Sequence, residues 1–344
     1  MDAIGSRLTA MVTLTVTEKG YHFSRRAAGL DLDDPAVRAD LRGDVPPLTP
    51  IGIVARGLQR RARTHGVPLT VLSCDNLASN GDQTAQLMRE FAAALPAAEA
   101  GPLLQFLEIV TFPNSMVDRI VPATTDADRA TAARLLGVHD AVPVPAEPFT
   151  MWVMQDRFVA GRPPWHRTGA VFTDDVEPYE LLKLRLLNGT HSLIAYLGAL
   201  AGAATIPEAI DKEFVADAAQ RAINDYLPTV EVPADVDLDA YVGALFTRWA
   251  NTALGHRTHQ VGSDGSGKLR QRIPDPAVQR LAAGHLPHQL ALTVAAWLSC
   301  IAPPSGFDPG PHAAAMVDPA REQLADARAR AGSTAAFVEA VLDG

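Results

Sequence analysis

The sequence predicts an α/β domain built on a parallel, doubly wound sheet, followed by an all-α domain. Three observations lead to this prediction. In the first half, short apolar segments with strand-like alternation are separated by segments of helical periodicity. A stretch rich in glycine and proline follows at 159–175. Beyond it, the apolar pattern is helical almost to the end of the chain.

The strands of the first half are predicted from short apolar or β-branched runs. "MVTLTVT" alternates and is rich in β-branched residues, and "PLTVLSCDN" is an apolar run that ends in polar residues. Strands are predicted at 11–17, 68–76, within 106–122 and at 147–158, and helices at 51–66 and 80–96. Because the carboxyl ends of parallel strands meet at one edge of a sheet, we expect Glu18, Asp75, Asn76 and Asn114 near that edge.

The second half opens with "VAGRPPWHRTGAVFTDD", whose glycines and prolines indicate a linker. Pro178 suits the first turn of the next helix, and Asp174 or Asp175 can cap that helix. We therefore predict a first domain over 1–170 and a second over 171–344. Helices are predicted at 178–203, 207–226, 237–254, 275–300 and 318–342.

Composition restricts the class of protein. With 344 residues, 47% hydrophobic and 20% charged, the chain is long enough for two globular domains. A formal net charge of -9 argues against nucleic acid or an anionic membrane as partner. The apolar runs are too short to span a bilayer, and "MDAIGSRLTAMVTLTVTEKG" lacks the features of a signal peptide, so we expect a cytoplasmic protein. Two cysteines give no disulfide framework.

One apolar helix, "LLKLRLLNGTHSLIAYLGAL" at 181–200, carries three polar side chains. In an α-helix, Asn188 lies about 140° and His191 about 80° around the axis from Lys183, on one side. Gly189 lets another group approach the backbone closely. A desolvated lysine exchanges protons near neutral pH, an asparagine stabilises a developing oxyanion and a histidine orients a hydroxyl, which together fit carbonyl reduction or alcohol oxidation. A structural interpretation, with a snorkelling lysine and a core histidine, stays open.

Several other motifs are set aside. "GSDGSGK" (262–268) has P-loop spacing, but Leu269 stands where magnesium binding needs Ser or Thr, so we predict a tight loop carrying Asp264 and Lys268. His256 and His259 in "HRTHQ" have no H-E-x-x-H pattern, so we predict no metal site and interpret them as surface or hydrogen-bonded histidines. Neither a G-x-G-x-x-G fingerprint nor a G-x-S-x-G elbow occurs.

Taken together, several segments resemble the polyol-specific long-chain dehydrogenase family, which includes mannitol 2-dehydrogenase and fructuronate reductase (D-mannonate oxidoreductase). The K-x4-N-x2-H element of the helix at 181–200 is highly specific to that family. The matching stretches cover residues 8 to about 300 in order. They are "LTVTEKGYH", "SCDNLASNGD", "TFPNSMVDRIVP", "EPFTMWVMQDRF", "GRPPWHRTGAVFTDDVEPYELLKLRLLNGTHSLIAYLG" and "HRTHQVGSDGSGKLRQRIP".

The resemblance implies a Rossmann-type domain followed by an all-helical substrate domain, in a metal-independent dehydrogenase with NAD as cofactor, or NADP as the alternative. It implies Lys183 as general base in alcohol oxidation and general acid in ketone reduction. Asn188 and Asn80 would form an oxyanion hole, and His191 would hold a substrate hydroxyl. The remaining candidates are Asp118, Arg257 and Lys268 for the substrate and Val117 with the strand-end Glu18 for the cofactor.

Within the family, two substrates remain open. "HRT", "DGS" with Lys268, and "TVTEKGY" look closest to fructuronate reductase, where a carboxylate suits Arg257 or Lys268. "FPNSMVDRI" looks more like mannitol 2-dehydrogenase. The expected partner is thus a small polyol or sugar acid, with no nucleic acid or membrane, and members are often monomers.

The chain departs from the family at its ends. Members begin with a glycine-rich strand-turn-helix of the form G-x-G-x-F-x-R-A-H, whereas this sequence starts at "MVTLTVTEKG" and stops before the last family helices. We therefore expect a sequence truncated at both ends, with the first part of the Rossmann-type domain missing. An alternative function follows from this: an inactive fragment that retains only a helical domain binding a sugar acid or a partner.

Overall fold

A computed structural model describes residues 1–24 and 26–342. The chain forms two compact units, each built from two stretches of sequence. The first unit contains Met1–Asp118 and Thr150–Glu180, and the second contains Arg119–Phe149 and the chain from Leu181 onward. The segment Arg119–Phe149 thus belongs with the helical half of the chain, although it precedes Thr150–Glu180 in sequence.

The strands of the first unit form three small sheets. They are β1 (Met11–Leu14), β2 (Phe23–Ser24), β3 (Gly29–Leu30), β4 (Thr70–Ser73), β5 (Ser115–Asp118), β6 (Met151–Gln155) and β7 (Val171–Thr173). β1 and β4 are parallel, with Met11 opposite Thr70, and Thr70 also bridges Thr111 in parallel. β2 and β3 form an antiparallel pair, and β6 pairs with β5 antiparallel and with β7 parallel.

Helices cover the strands of the first unit and complete its core. They are α1 (Asp2–Gly5), α2 (Pro35–Arg42), α3 (Pro50–Thr64), α4 (Asn80–Ala93) and α5 (Ala97–Leu107), with 3-10 turns at Glu18–Tyr21 and Trp165–Thr168. α3 begins at a proline, and the Thr49 hydroxyl accepts from Gly52 N at 2.9 Å, so both local signals favour a helix start there. Leu58 on α3, Val71 on β4 and Phe91 on α4 are fully buried in one apolar cluster.

The second unit is helical. Its elements, in order, are α6 (Asp126–Leu136), the end of α7 (Glu177–Leu182), a π segment (Lys183–Gly189), α8 (Thr190–Leu200), α9 (Ile206–Ile210), α10 (Glu213–Tyr226), α11 (Leu238–Trp249), α12 (Thr258–Gly262), α13 (Gly265–Arg272), α14 (Pro274–Ala282), α15 (His288–Ile301), α16 (Gly310–Ala314), α17 (Arg321–Arg330) and α18 (Thr334–Leu342), with 3-10 turns at Leu227–Thr229 and Thr252–Leu254. α8 lies at the centre, packed by α10, α12 and α15. Its buried face is apolar except for a few polar groups, which makes it the core of this unit.

All four predicted strands contain an observed strand, and both predicted helices of the first half are present. The linker prediction at 159–175 is wrong in part: Val171–Thr173 forms β7, whose apolar character is obscured by the surrounding glycines and prolines. The doubly wound parallel sheet is also only partly correct, because β5 runs antiparallel to β6. Within the described residues, no helix is both long and apolar enough to cross a membrane.

Three of the long predicted helices are interrupted. Gly284 with φ +79° and Pro287 separate α14 from α15, since neither residue continues a helix easily. A turn at Asp211 and Lys212 separates α9 from α10, and residues 331–333 separate α17 from α18. The first long helix changes its geometry instead of ending, because its backbone becomes a π-helix from Lys183 to Gly189.

Candidate active site

The helix that carries Lys183 begins as predicted but then widens. Pro178 lies in its first turn, and Asp175 caps it, accepting from Glu177 N at 3.0 Å. From Lys183 to Gly189 the backbone is a π-helix rather than an α-helix. π-helical hydrogen bonds join residues five apart, so each turn takes up more residues, and such segments are frequent at functional sites. The predicted 140° between Lys183 and Asn188 is therefore wrong: five residues apart, they lie closer to one face.

Neighbouring helices supply the groups that the widened turn needs. Arg272 Nη1 donates to Asn188 O at 2.9 Å and to Ser192 Oγ at 2.7 Å. Gly189 packs so closely on Tyr226 that a Cβ atom at position 189 would clash with the phenol ring. The predicted close approach of another group to the backbone of Gly189 is thus observed, and that group is Tyr226. Arg185 donates to Thr229 O and to Gln279 Oε1. The π segment is thus held by long-range contacts that hydrophobic periodicity does not encode.

A cluster of three rings lies beyond the π segment: the half-buried His191 on α8, the buried Trp249 at the end of α11, and the buried His256 just before α12. The His191 ring lies 5.4 Å from that of His256, at 86°, and 6.4 Å from that of Trp249. His191 Nε2, Trp249 Nε1 and both ring nitrogens of His256 are buried, and none has a hydrogen-bond partner in the part of the chain that the structure describes. An unsatisfied buried polar group costs about 1–3 kcal/mol, so this concentration indicates a place where a ligand or water completes the bonds.

The two histidines are neutral at physiological pH. Burial, followed by repulsion from the neighbouring His256 and from the positive charges of Arg272, Arg248 and Lys268, holds the pKa of His191 well below its ordinary value. Burial lowers the pKa of His256 to about 4. Each ring therefore carries one N–H donor and one bare nitrogen acceptor. The cluster can exchange hydrogen bonds with hydroxyl groups without carrying charge itself.

The structure places the two basic candidates differently. Lys268 lies within α13, not in the tight loop that was predicted, and its Nζ donates to Val261 O at 3.3 Å and Ser263 O at 2.7 Å. Its charge is among those that lower the pKa of His191. Arg257 stands at the N-cap position of α12, and its exposed side chain makes no capping hydrogen bond. The substrate-binding roles of both residues stay predictions.

In the first unit, the motifs "SNGD" and "FPNS" hold each other together. Asn80 is fully buried, and its Nδ2 donates to Asp75 O at 3.0 Å and Ser115 O at 2.8 Å, while its Oδ1 accepts from Ser115 N at 2.9 Å. Asn114 Nδ2 donates to Asp82 at 2.8 Å. Asn80 thus ties the ends of β4 and β5 together. Its oxyanion role stays a prediction, which requires one amide N–H to exchange its backbone partner.

The strand ends of the first unit carry the expected polar groups. Asp75 follows β4, and its carboxylate accepts from Val16 N at 3.0 Å, Thr17 N at 2.8 Å and the Tyr21 hydroxyl at 2.8 Å. It thereby fixes the loop after β1 to the end of β4. Thr17 and Ser79 have φ of +64° and +48°, and strained backbone of this kind is concentrated at functional sites.

The remaining candidates of the first unit lie on these same elements. Glu18 is exposed in the turn after β1, whereas Val117 is half-buried on β5 and Asp118 is buried at its end. Their binding roles stay predictions.

Sequence reasoning missed His256, Trp249 and Arg272. The interpretation of His256 as a surface or hydrogen-bonded residue is wrong, since it is 7% exposed and neither ring nitrogen is bonded. The available signal was weak: a glycine precedes it and an arginine follows it. Among the described residues, no group of three or more His, Cys, Asp or Glu side chains is arranged to hold a metal ion.

Comparison with known families matches both halves of the chain. The mannitol dehydrogenase Rossmann domain matches residues 4–167, and the mannitol dehydrogenase C-terminal domain matches residues 175–343. The chain belongs to the mannitol dehydrogenase family. The predicted fold class, a Rossmann-type domain followed by a helical domain, is thereby confirmed, and so is the family recognised from the K-x4-N-x2-H element.

The relatives of the chain include proteins named for two different substrates, mannonate and mannitol. The chain is 40% identical to D-mannonate oxidoreductase of Escherichia coli, over 93% of this chain and 65% of that protein. It is 38% identical to mannitol 2-dehydrogenase of Pyrenophora tritici-repentis, over 92% of this chain and 56% of that protein. The chain therefore spans roughly three fifths of the length of such relatives.

Solved structures give the same family. Mannitol 2-dehydrogenase of Pseudomonas fluorescens, in a ternary complex with NAD and D-mannitol, is 33% identical, with a TM-score of 0.80 over 99% of this chain and 68% of that chain. A substrate-free D-sorbitol dehydrogenase is 30% identical, with a TM-score of 0.78 over 87% of this chain and 62% of that chain.

Proposed function

We propose that the protein is an NAD(P)-dependent oxidoreductase that interconverts a secondary alcohol and a ketone at C2 of a six-carbon sugar acid or sugar alcohol. The names of its relatives support this reaction class, and a relative of known structure binds NAD and D-mannitol. The observation that carries the proposal is the π segment. It turns Lys183 and Asn188 towards a common face, and His191, whose Nε2 is buried, follows one helical turn after Asn188.

The three side chains have complementary roles. Lys183 takes the proton from the C2 hydroxyl during oxidation and returns it to the ketone oxygen during reduction. Asn188 donates a hydrogen bond to the same oxygen as negative charge develops on it. His191, which burial and positive neighbours keep neutral, bonds a neighbouring hydroxyl and fixes the orientation of the substrate.

The first unit offers part of a dinucleotide site. β1 and β4 are parallel, and the polar residues and positive-φ positions at their carboxyl ends occupy the place where Rossmann-type sheets bind nicotinamide cofactors. The printed sequence contains no G-x-G-x-x-G loop for the pyrophosphate. When bound, the nicotinamide exchanges a hydride with C2. Glu18 and Val117 are the residues that we propose for contact with the cofactor.

Electrostatics favours the sugar acid over the neutral polyol. The positive charges of Arg272, Arg248 and Lys268 all act on His191. Arg272 and Lys268 both lie on α13, so this helix contributes two of these three positive charges, and Arg248 on α11 contributes the third. A carboxylate at the end of the substrate is stabilised there, whereas mannitol gains nothing from it. We propose that mannonate and fructuronate are the preferred pair.

The alternative of an inactive, ligand-binding fragment gains no support from the comparisons. The family match extends through both domains, from residue 4 to 167 and from 175 to 343. The candidate acid/base and oxyanion residues are present in that match, and the π-helical backbone that presents them is formed.

The test is NADH oxidation by the purified chain, with D-fructuronate and D-fructose offered separately. We expect turnover of fructuronate to exceed that of fructose, and Lys183→Ala to reduce kcat by at least about 100-fold, because the proton donor is lost. Lys212→Ala is the matched control, since Lys212 lies at the start of α10, away from the π segment. Near-normal turnover by a folded Lys183→Ala protein would exclude Lys183 as the acid/base.

A further inference from the structure

His256 is held in place by its backbone rather than by its side chain. Its carbonyl oxygen accepts from Ile206 N at 3.0 Å, and the residues after it bond the same loop, with Thr258 N donating to Ala204 O at 3.1 Å. Arg257 also bridges Thr205 in antiparallel fashion. The preceding Gly255 has φ +56°, which turns the chain into this position. Backbone contacts thus orient the ring while both of its nitrogens remain available.

Such a ring is unusual in a protein interior. A core histidine normally bonds at least one nitrogen to a backbone carbonyl or a carboxylate, because leaving polar atoms unsatisfied in the interior is unfavourable. His256 bonds neither, and the facing ring of His191, 5.4 Å away, also has its Nε2 unsatisfied. Trp249, whose ring lies 6.4 Å from that of His191, adds an indole N–H without a partner. The three neighbouring side chains therefore offer buried nitrogen atoms that can form hydrogen bonds with a ligand.

We propose that His256 is a substrate-positioning residue, which together with His191 and Trp249 binds a second hydroxyl group of the substrate, remote from C2. This inference rests on the proposed function, and it extends the K-x4-N-x2-H site by a residue from another part of the chain. A neutral imidazole offers one donor and one acceptor, which is also what a hydroxyl group offers. The two perpendicular rings fit a molecule that presents neighbouring hydroxyls, as sugar acids and polyols do.

The variant His256→Phe tests the proposal, because phenylalanine keeps an aromatic ring and removes both nitrogens. With NAD and D-mannonate we expect KM to rise about 10- to 100-fold with kcat nearly unchanged. The reason is that the hydrogen bond between His256 and the remote hydroxyl stabilises the bound substrate and the transition state equally. His256→Gln, which restores a donor and an acceptor, should recover part of the loss. His259→Phe, on the neighbouring helix α12, is the matched control and should behave as the wild type.

Deoxygenated substrates separate a binding role from a structural one. The probes are analogues of D-mannonate that lack one hydroxyl, at C3, C4, C5 or C6. One of them should bind wild-type protein as weakly as D-mannonate binds His256→Phe, and it should lose nothing further in that variant. If His256 has a purely structural role, the loss of affinity of each analogue relative to D-mannonate should be the same in the wild type and in His256→Phe. This result would overturn the proposal.

The remaining outcomes are also decisive. If wild-type protein turns over D-mannonate and His256→Phe has an unchanged KM, the histidine nitrogens bind water only, and the inference fails while the proposed function stands. If wild-type protein turns over neither D-mannonate nor D-mannitol, the proposed function fails, and the positioning role fails with it.

Discussion

A buried ion pair holds the segment Arg119–Phe149 onto the helical unit, and its removal gives a sharp prediction. Arg248 on α11 donates to the Glu147 carboxylate through Nε, at 3.1 and 3.0 Å, and through Nη2 at 2.8 Å. The two side chains are only 4% and 1% exposed. Glu147 also accepts from Ile120 N at 2.6 Å, and the Arg248 guanidinium lies over the Phe149 ring at 4.1 Å.

Arg248→Met should destabilise the second unit by about 3–5 kcal/mol, because it leaves the Glu147 carboxylate buried without its cation. The double variant Glu147→Gln/Arg248→Met should lose less than the sum of the single changes, by at least about 1 kcal/mol, since glutamine is neutral and still accepts from Ile120 N. Replacement of both charged partners removes the unfavourable desolvation as well as the attraction. The loss of stability in Arg248→Met is therefore caused by the unpaired carboxylate rather than by the smaller volume of the new side chain.

The assay is urea unfolding followed by tryptophan fluorescence, to which Trp249 and Trp297 contribute from the second unit. Arg221→Met is the matched control, because Arg221 pairs with Asp217 at 3.8 Å on the surface, where both side chains are more than half exposed. Such a pair contributes less than about 1 kcal/mol. If Arg248→Met destabilised the protein no more than Arg221→Met, the assignment of a stabilising role to the buried pair would be wrong.

Two further predictions concern the site. Because burial lowers the pKa of His256 from 6.5 to about 4, the unfolded chain binds a proton between these pH values that the folded chain does not, so stability falls as the pH decreases through this window. A shift of that size corresponds to about 3 kcal/mol of unfolding free energy. His256→Gln should reduce the pH dependence of urea unfolding by that amount, whereas the control His259→Gln should not. Parallel curves of stability against pH for wild type and His256→Gln would contradict this prediction. Gly189→Ala should destabilise the protein by about 1–3 kcal/mol through its clash with Tyr226, and Tyr226→Phe should relieve part of this loss, because the phenol oxygen is the nearest atom. An equal loss with and without the Tyr226 hydroxyl, measured by urea midpoints, would show that the hydroxyl oxygen is not the cause and would leave the ring carbons, which come as close as 2.5 Å, as the clashing atoms.

Local sequence signals predicted most of the elements that position the site. The β-branched run at 11–17 and the apolar run at 68–76 lead to β1 and β4, and the polar residues after each run lie at the strand ends as expected. Pro178 and the aspartates before it predicted where the Lys183 helix begins. These features depend on neighbouring residues, and periodicity and capping are local properties.

The parts that were not predicted depend on contacts between residues far apart in sequence. Arg272 reaches Asn188 across 84 residues, and Arg248 reaches Glu147 across 101. An α-helix would place Lys183 and Asn188 about 140° apart and the π segment brings them closer together, but their spacing in the sequence does not indicate which of the two backbones forms. His256 illustrates the same limit: its neighbours indicate a turn, and only the fold shows that its ring is buried beside His191 without a partner. Residues that bind a ligand often have unsatisfied buried polar atoms or strained backbone, which lower the stability of the fold. These features can be identified only from the three-dimensional structure.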